Sequence, residues 1–271
     1  MPKALYTKYR PAVFDDVVGQ THVLQTLKNA IDSNRISHAY MFCGPRGTGK
    51  TTMARILAKS CICKNGEDQK TPTSKPCGTC QDCIDISTGT HEDVSELDAA
   101  SRTGVDNVRE EIINRVQFAP TRASKKIYII DEVHMLSNAA FNALLKTLEE
   151  PPEHVVFILC TTDPQKVPET ILSRCQRFDF RPISIEDVAQ RLKTVCESEG
   201  VNAEQDALRA IAKNSQGGMR NALTELEQMI SFCDGTIKLT DVQSDNGFSA
   251  DVDIRDLLLL IANNNLAGVF S

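Results

Sequence analysis

Ala39-Tyr-Met-Phe-Cys-Gly-Pro-Arg-Gly-Thr-Gly-Lys-Thr51 is an apolar run that breaks into a glycine-rich loop. The run Ala39 to Cys43 reads as a buried strand. The loop, Gly44, Pro45, Arg46, Gly47, Thr48, Gly49, Lys50 and Thr51, fits G-x-x-x-x-G-K-[ST] at every fixed position. Glycines at these spacings let successive backbone N–H groups face one concavity, which suits phosphate oxygens. Lys50 supplies a cation for the β- and γ-phosphates, and Thr51 a hydroxyl for magnesium. A helix is expected from about Thr51 to Lys59, with Thr52 in its first turn. Its N-terminus points at the same anion.

Outward from the loop, apolar runs alternate with amphipathic stretches up to about residue 180. Lys126 to Ile130 and Val155 to Cys160 read as two further strands. Between them Phe141, Leu144, Leu145 and Leu148 recur at i, i+3, i+4 and i+7, the spacing of one helix face. Pro151-Pro152 stops that helix. Near-continuous apolar strands separated by helices imply a parallel sheet covered on both sides. The strand signal disappears after Arg181-Pro182. Ser184-Ile-Glu-Asp187 has a capping-box pattern, and Gly200 suits the end of the helix it opens. Helices at about 203–214 and 219–232 complete a three-helix domain. Residues 240–250 look polar and turn-like, and Asp251 to Asn263 begins another helix. The expected organisation is 1–180, 181–240 and 241–271.

Ile127-Tyr-Ile-Ile-Asp-Glu-Val-His134 supplies the second half of the site. A buried strand delivers Asp131 and Glu132 at its C-terminal end. Asp131 suits magnesium, held through the ion's water shell. Glu132 suits a general base for the attacking water. His134 invites reading as a metal ligand, but a structural role after the strand accounts for it better. Thr161 and Thr162 follow the strand 155–160 and suit a sensor of the γ-phosphate. Arg220, near the start of a helix in the second domain, suits a sensor that reports ATP through a hinge movement. From the residues alone, a structural role serves these last positions as well.

The chain has 271 residues, 41% hydrophobic and 24% charged, with a net charge of −6. That balance excludes a protein that grips nucleic acid over its whole surface. Residues 1–60 nevertheless carry nine Lys/Arg against three Asp/Glu, so one face suits phosphates and the acidic remainder suits proteins. A basic phosphate-binding segment and nothing more explains the same asymmetry. No apolar run is long enough for a membrane span, and the N-terminus lacks the apolar core of a secretory signal. A cytoplasmic protein without membrane contact is expected, and disulfides are unlikely among its ten cysteines. Four cluster as C-x13-C-x2-C-x2-C: Cys63, Cys77, Cys80 and Cys83. Four thiolates can enclose a tetrahedral zinc ion with no open position. The segment around them is polar, and a metal would order it.

Several stretches resemble the gamma/tau subunit family of the bacterial DNA polymerase III sliding-clamp loader. They are Tyr9-Arg-Pro11, Val18-Gly-Gln20, His38-Ala-Tyr40, the phosphate loop, Leu97-Asp-Ala-Ala-Ser101, Asp131-Glu-Val-His-Met-Leu136, Phe141 through Pro152, and Ile171-Leu-Ser-Arg-Cys175. The resemblance spans about residues 4–235. It implies an AAA+ ATPase domain with a zinc module inserted at about 61–90, a helical lid, and the start of a helical collar at 241–271. It implies that Tyr9, Arg10, Pro11 and Val18 wall the adenine, that Thr162 is the first sensor and Arg220 the second. Arg174 would be an arginine finger acting on the ATP of a neighbouring subunit. It implies ATP, magnesium and structural zinc as cofactors. Its implied partners are other loader subunits in a hetero-pentamer, the sliding clamp, primer–template DNA and, in the long form, the polymerase core. The family carries zinc with the same spacing among the last three cysteines. The longer first gap and the extra Cys61 depart from it; Cys63 is the residue that aligns. The collar is the main ring contact in the family, so a chain holding only ATPase and lid domains is expected to be monomeric and to hydrolyse ATP slowly. Two alternatives are a non-hydrolysing scaffold subunit of the loader, which would lack phosphate-loop residues, and another AAA+ DNA motor such as a branch-migration helicase, which would carry a DNA-engaging hairpin and no zinc module.

Overall fold

The computed structural model describes residues 3–64, 71–101, 104–233 and 235–245. They form two compact units, one of residues 10–183, the other joining residues 3–9 to the described chain from Ser184 onward.

The larger unit is built on five parallel strands: β1 (Ala39–Cys43), β2 (Val94–Asp98), β3 (Lys126–Asp131), β4 (Val155–Thr161) and β5 (Gln176–Asp179). Their order across the sheet is β2-β3-β4-β1-β5. Every residue of β1 and of β4 is buried, because helices cover both faces of the central strands. These strands, with β3, are the ones legible as apolar runs. The two edge strands were not expected. In β5 only Phe178 is buried, and in β2 only Val94 and Leu97, so neither presents an apolar run.

One face of the sheet packs under α1 (Thr21–Asp32) and α2 (Lys50–Ile62), where Val23, Leu27, Met53 and Leu57 meet Phe42, Ile129 and Ile158. Beyond α2 comes α3 (Gln81–Thr88). The other face is covered by α4, a helix over 105–116 with a π-helical turn at Arg109–Ile113, and by α5 (Asn138–Glu149). Here Ile112, Phe141, Leu144 and Leu148 meet Tyr128, Phe157 and Leu159. Tyr128 and Phe157 are register partners on β3 and β4, and their rings stack at 5.5 Å. The amphipathic reading of α5 holds, and Ser137 caps it by accepting a 3.2 Å bond from the Ala140 N–H. α2 runs three residues further than expected, to Ile62, and is buried along most of its length.

The smaller unit contains α6 (Ile185–Glu199), α7 (Gln205–Asn214), α8 (Met219–Phe232) and α9 (Leu239–Asp245). Ser184 Oγ accepts from the Asp187 N–H at 3.1 Å. Gly200, at φ +70°, ends α6 in the left-handed conformation that glycine adopts without strain. Two features differ from the sequence reading. A helix, α9, occupies 239–245, where polar residues suggested a turn: Val242 is buried, and Asp241 accepts the Lys238 N–H at 2.9 Å. Residues 3–9, expected with the sheet, lie with the helices. Leu5 is buried there, and Lys8 and Tyr9 both bond the Glu199 carboxylate at the end of α6. The expected collar helix at 251–263 lies outside the described residues. No helix among the described residues is long and apolar enough to cross a membrane.

Candidate active site

Parallel strands deliver their C-terminal ends to one edge of the sheet, and the site assembles there. β1 runs into the loop 44–49, which leads straight into α2. Gly44 has φ +146°, and a Cβ on it would lie 2.4 Å from the Phe180 carbonyl oxygen, so only glycine fits. The Gly44 N–H is spent on Thr161 O at 3.2 Å, fixing the loop to the end of β4. Gly47 and Gly49 also take positive φ. Gly49 is the N-cap of α2 and offers no side chain to its first N–H groups, which leaves them for an anion. Pro45 and Arg46 are exposed, and Thr48 Oγ1 donates to Pro45 O at 2.8 Å.

Lys50 is 6% exposed. Its ammonium donates to the carbonyls of Gly44 and Pro45, each at 2.9 Å. Burial depresses its pKa, against the opposing pull of Cys160, Glu132 and Asp131. A cation held by two neutral carbonyls in a desolvated loop gains most from a phosphate. Thr51 Oγ1 donates to Asp131 Oδ2 at 2.7 Å. Burial pushes the Asp131 carboxyl up, opposed by that bond and by the Glu132 N–H, 3.0 Å from Oδ1. Two oxygens of the kind magnesium accepts thus stand side by side in a half-buried setting, and the donor set fits a hard divalent cation.

Glu132 has φ +47°. A non-glycine residue there costs about 1–2 kcal/mol. The turn brings its carboxylate to Thr162, whose hydroxyl and amide donate to Oε2 at 3.0 and 3.3 Å. His134 Nδ1 lies 3.0 Å from Thr161 Oγ1 and 3.5 Å from Glu132 Oε2. Lys50, Thr51, Asp131, Glu132 and Thr162 are therefore brought together as the sequence suggested. Thr161, suggested with Thr162 as a sensor, is instead fully buried, its hydroxyl facing His134 and accepting the Asp163 N–H; that anchoring and the backing of Gly44 by Phe180 carried no sequence signal. Both arise from contacts between strand ends distant in the chain.

Pro11 and Val18 are half-buried in the larger unit, and Arg10 belongs to the same unit. Tyr9 belongs to the smaller unit and donates its hydroxyl to Glu199. Arg220 is exposed at the start of α8, with its guanidinium 4.8 Å from the centre of the Tyr6 ring. Arg174 donates to Thr170 O at 2.6 Å and pairs with Glu149.

At the other end of α2, the sulfurs of Cys63, Cys77, Cys80 and Cys83 all lie within 4.8 Å of one another. Cys63 Sγ is 3.6 Å from Cys77 Sγ and 4.0 Å from Cys80 Sγ. Zinc–sulfur bonds of about 2.3 Å place tetrahedral sulfurs about 3.8 Å apart, so this donor set fits zinc. Amide N–H groups of Cys77 and Cys80 point at the sulfurs of Cys63 and Cys77, at 3.4 and 3.3 Å. Burial opposes ionisation of Cys77, but the N–H groups of Cys80 and Thr79 bring its thiol down to about 6. Cys61 stands outside the group and is buried, its thiol pushed up to about 12 by desolvation. The ambiguity between Cys61 and Cys63 thus resolves to Cys63.

A family model described as "DNA polymerase III, delta subunit" matches residues 19–184, and one described as "DNA polymerase III clamp loader subunit, ATPase lid domain" matches 187–235. The chain is 47% identical to DNA polymerase III subunit tau of Bacillus subtilis over 98% of its own length and 46% of that protein's. It is 47% identical to subunit tau of Escherichia coli, over 89% of the chain and 37% of that protein. Subunit gamma of Buchnera aphidicola subsp. Baizongia pistaciae is 42% identical, with 97% and 69% covered. The chain thus spans less than half the length of the two tau subunits. Among solved structures, the Holliday junction branch migration motor RuvB of Thermotoga maritima superposes with a TM-score of 0.62 at 19% identity, covering 87% of this chain and 71% of that one. That likeness carries the fold alone.

Proposed function

The chain belongs to the gamma/tau family of DNA polymerase III clamp-loader subunits, and on that premise we propose that it is the ATP-driven motor subunit of a sliding-clamp loader. It binds and hydrolyses ATP so that a ring of subunits opens a clamp and closes it on primed DNA, within the polymerase III holoenzyme. Polymerisation itself belongs to another subunit. One observation supports this reading above all: Thr51 and the Glu132 N–H both donate to the Asp131 carboxylate and Thr162 donates to the Glu132 carboxylate, while the Lys50 ammonium is held by the carbonyls of its own loop.

The loop 44–49 and the first turn of α2, with Thr52, receive the phosphates on backbone N–H groups. Lys50 exchanges its two carbonyls for β- and γ-phosphate oxygens. Thr51 and Asp131 would hold magnesium, which would supply positive charge beside the transferring phosphoryl group. Glu132 leaves Thr162, accepts the proton of the attacking water and orients it. Thr162, freed of Glu132, is placed to sense the γ-phosphate. Arg10, Pro11 and Val18, with Tyr9, wall the adenine. Arg220 reports ATP to the lid. Arg174 leaves Glu149 to act on a neighbour's ATP, where such a finger is worth about 10³–10⁵ in rate. Cys63, Cys77, Cys80 and Cys83 would hold zinc, whose role would be structural. The setting is the cytoplasm.

A scaffold role without hydrolysis is the second reading, favoured by the delta-subunit description of the model matching 19–184. Turnover separates the two. In the complex assembled from full-length subunits, ATP hydrolysis stimulated by clamp plus primed DNA is expected, and Arg174→Ala should slow it without changing ATP binding to its own chain. A complex that loads clamps at an undiminished rate with Glu132→Gln in this subunit would establish the scaffold role instead.

A further inference from the structure

His134 is a half-buried imidazole to which neither the nucleotide chemistry nor the zinc chemistry assigns a task. It sits in the short 3-10 turn Val133–Met135, directly after Glu132. That turn gives Glu132 its left-handed backbone, and no glycine eases it. Two contacts leave the imidazole from one atom. Nδ1 lies 3.0 Å from Thr161 Oγ1, at the fully buried end of β4, and 3.5 Å from Glu132 Oε2. Thr161 is itself fixed: its hydroxyl accepts the Asp163 N–H at 3.0 Å, and its carbonyl accepts the Gly44 N–H at 3.2 Å. The next residue, Thr162, holds the Glu132 carboxylate. The turn carrying Glu132 and the strand end carrying its partner are thus joined by one side-chain bond besides the Glu132–Thr162 contact.

We propose that His134 is a positioning residue for Glu132. Its Nδ1 ties the Val133–Met135 turn to Thr161 and so sets where the Glu132 carboxylate can swing when it leaves Thr162. The inference rests on Glu132 being the general base. It concerns the rate of the hydrolytic step and leaves nucleotide binding to Lys50 and the loop.

The geometry supplies its own control. An asparagine side chain reaches the position of the imidazole Nδ1, whereas a glutamine reaches that of Nε2. Single-turnover ATP hydrolysis and ATP affinity should be measured in the full chain for His134→Ala, His134→Asn, His134→Gln and Glu132→Gln. His134→Ala should slow hydrolysis by about tenfold to a hundredfold, less than loss of the base itself, with affinity unchanged within about twofold. His134→Asn should restore most of the rate, and His134→Gln should behave like His134→Ala. Full activity in His134→Ala, equal loss in all three His134 variants, or loss of affinity in step with rate would each overturn the proposal. If Glu132→Gln turned over normally, the base assignment would fall first, and that outcome is distinct from the others.

Discussion

The two ends of α2 solve one problem in opposite ways. The helix is 13 residues long, so its ends stand about 20 Å apart. At the N-terminal end, the loop 44–49 is held open by contacts with β4 and Phe180. At the C-terminal end, four thiols, those of Cys63, Cys77, Cys80 and Cys83, converge within 4.8 Å of one another. A site for a ligand that comes and goes must be rigid without it, so the sheet supplies the rigidity. A site for a resident metal can let the metal supply it. The contrast predicts that the two ends fail independently and through different measurements.

The largest effect is expected at the catalytic end. Glu132→Gln should lower turnover by about 10²–10⁴ while ATP binding persists; rapid-quench hydrolysis and equilibrium binding would check this. Next comes Lys50→Ala. It removes the one buried ammonium in the loop, and ATP affinity should fall by about a hundredfold or more, as loss of charge-assisted bonds implies. Equal loss of binding in both variants would erase the division of labour between the residues.

At the metal end, Cys80→Ser should remove a bound equivalent of zinc and expose 71–90 to protease, with ATP affinity changed by less than about threefold. Metal analysis with limited proteolysis reads the first part, and calorimetry the second. A large loss of ATP binding would show that α2 transmits strain from end to end and would break the comparison.

Smaller effects are expected on stability. Asp93 is buried, and burial alone would raise its carboxyl. The N–H groups of Ala123, Thr121 and Arg122, at 2.7–2.8 Å, outweigh that and hold it below the ordinary range. Its folded pKa is therefore below the unfolded value of about 3.9. The stabilisation is present above that value and is lost as pH falls through the folded one. Asp93→Asn should cost about 1–3 kcal/mol at neutral pH and flatten the acid limb of a denaturation curve. Asp131 has the opposite sign. Its raised carboxyl is ionised at a cost in the nucleotide-free protein, so Asp131→Asn should raise the melting temperature slightly at neutral pH while abolishing turnover. A fall in melting temperature would mean that the Thr51 bond outweighs desolvation.

The sequence by itself determined the central strands, because burial on both faces demands unbroken apolar runs. It determined α5 through its helical period, and the phosphate loop through the fixed spacing of its glycines before Lys50 and Thr51. Lys50, Thr51, Asp131 and Glu132 were legible because their chemistry ties residue type to a fixed place beside that loop. The cysteine cluster was legible in its spacing. Only the tertiary structure decided what depends on neighbours far along the chain. The edge strands β2 and β5 are defined by hydrogen bonds to β3 and β1, and their side chains are too exposed to form a pattern. Residues 3–9 join the helical unit because the Leu5 N–H donates to the Glu227 carboxylate and the Tyr9 hydroxyl to Glu199, a choice that no local propensity encodes. Cys63 rather than Cys61 joins the cluster because α2 continues to Ile62 and turns the Cys61 thiol into its buried face. The pairing of Glu132 with Thr162, and of His134 with Thr161, exists only because the parallel order places β3 beside β4, bringing two strand ends thirty residues apart to the same edge.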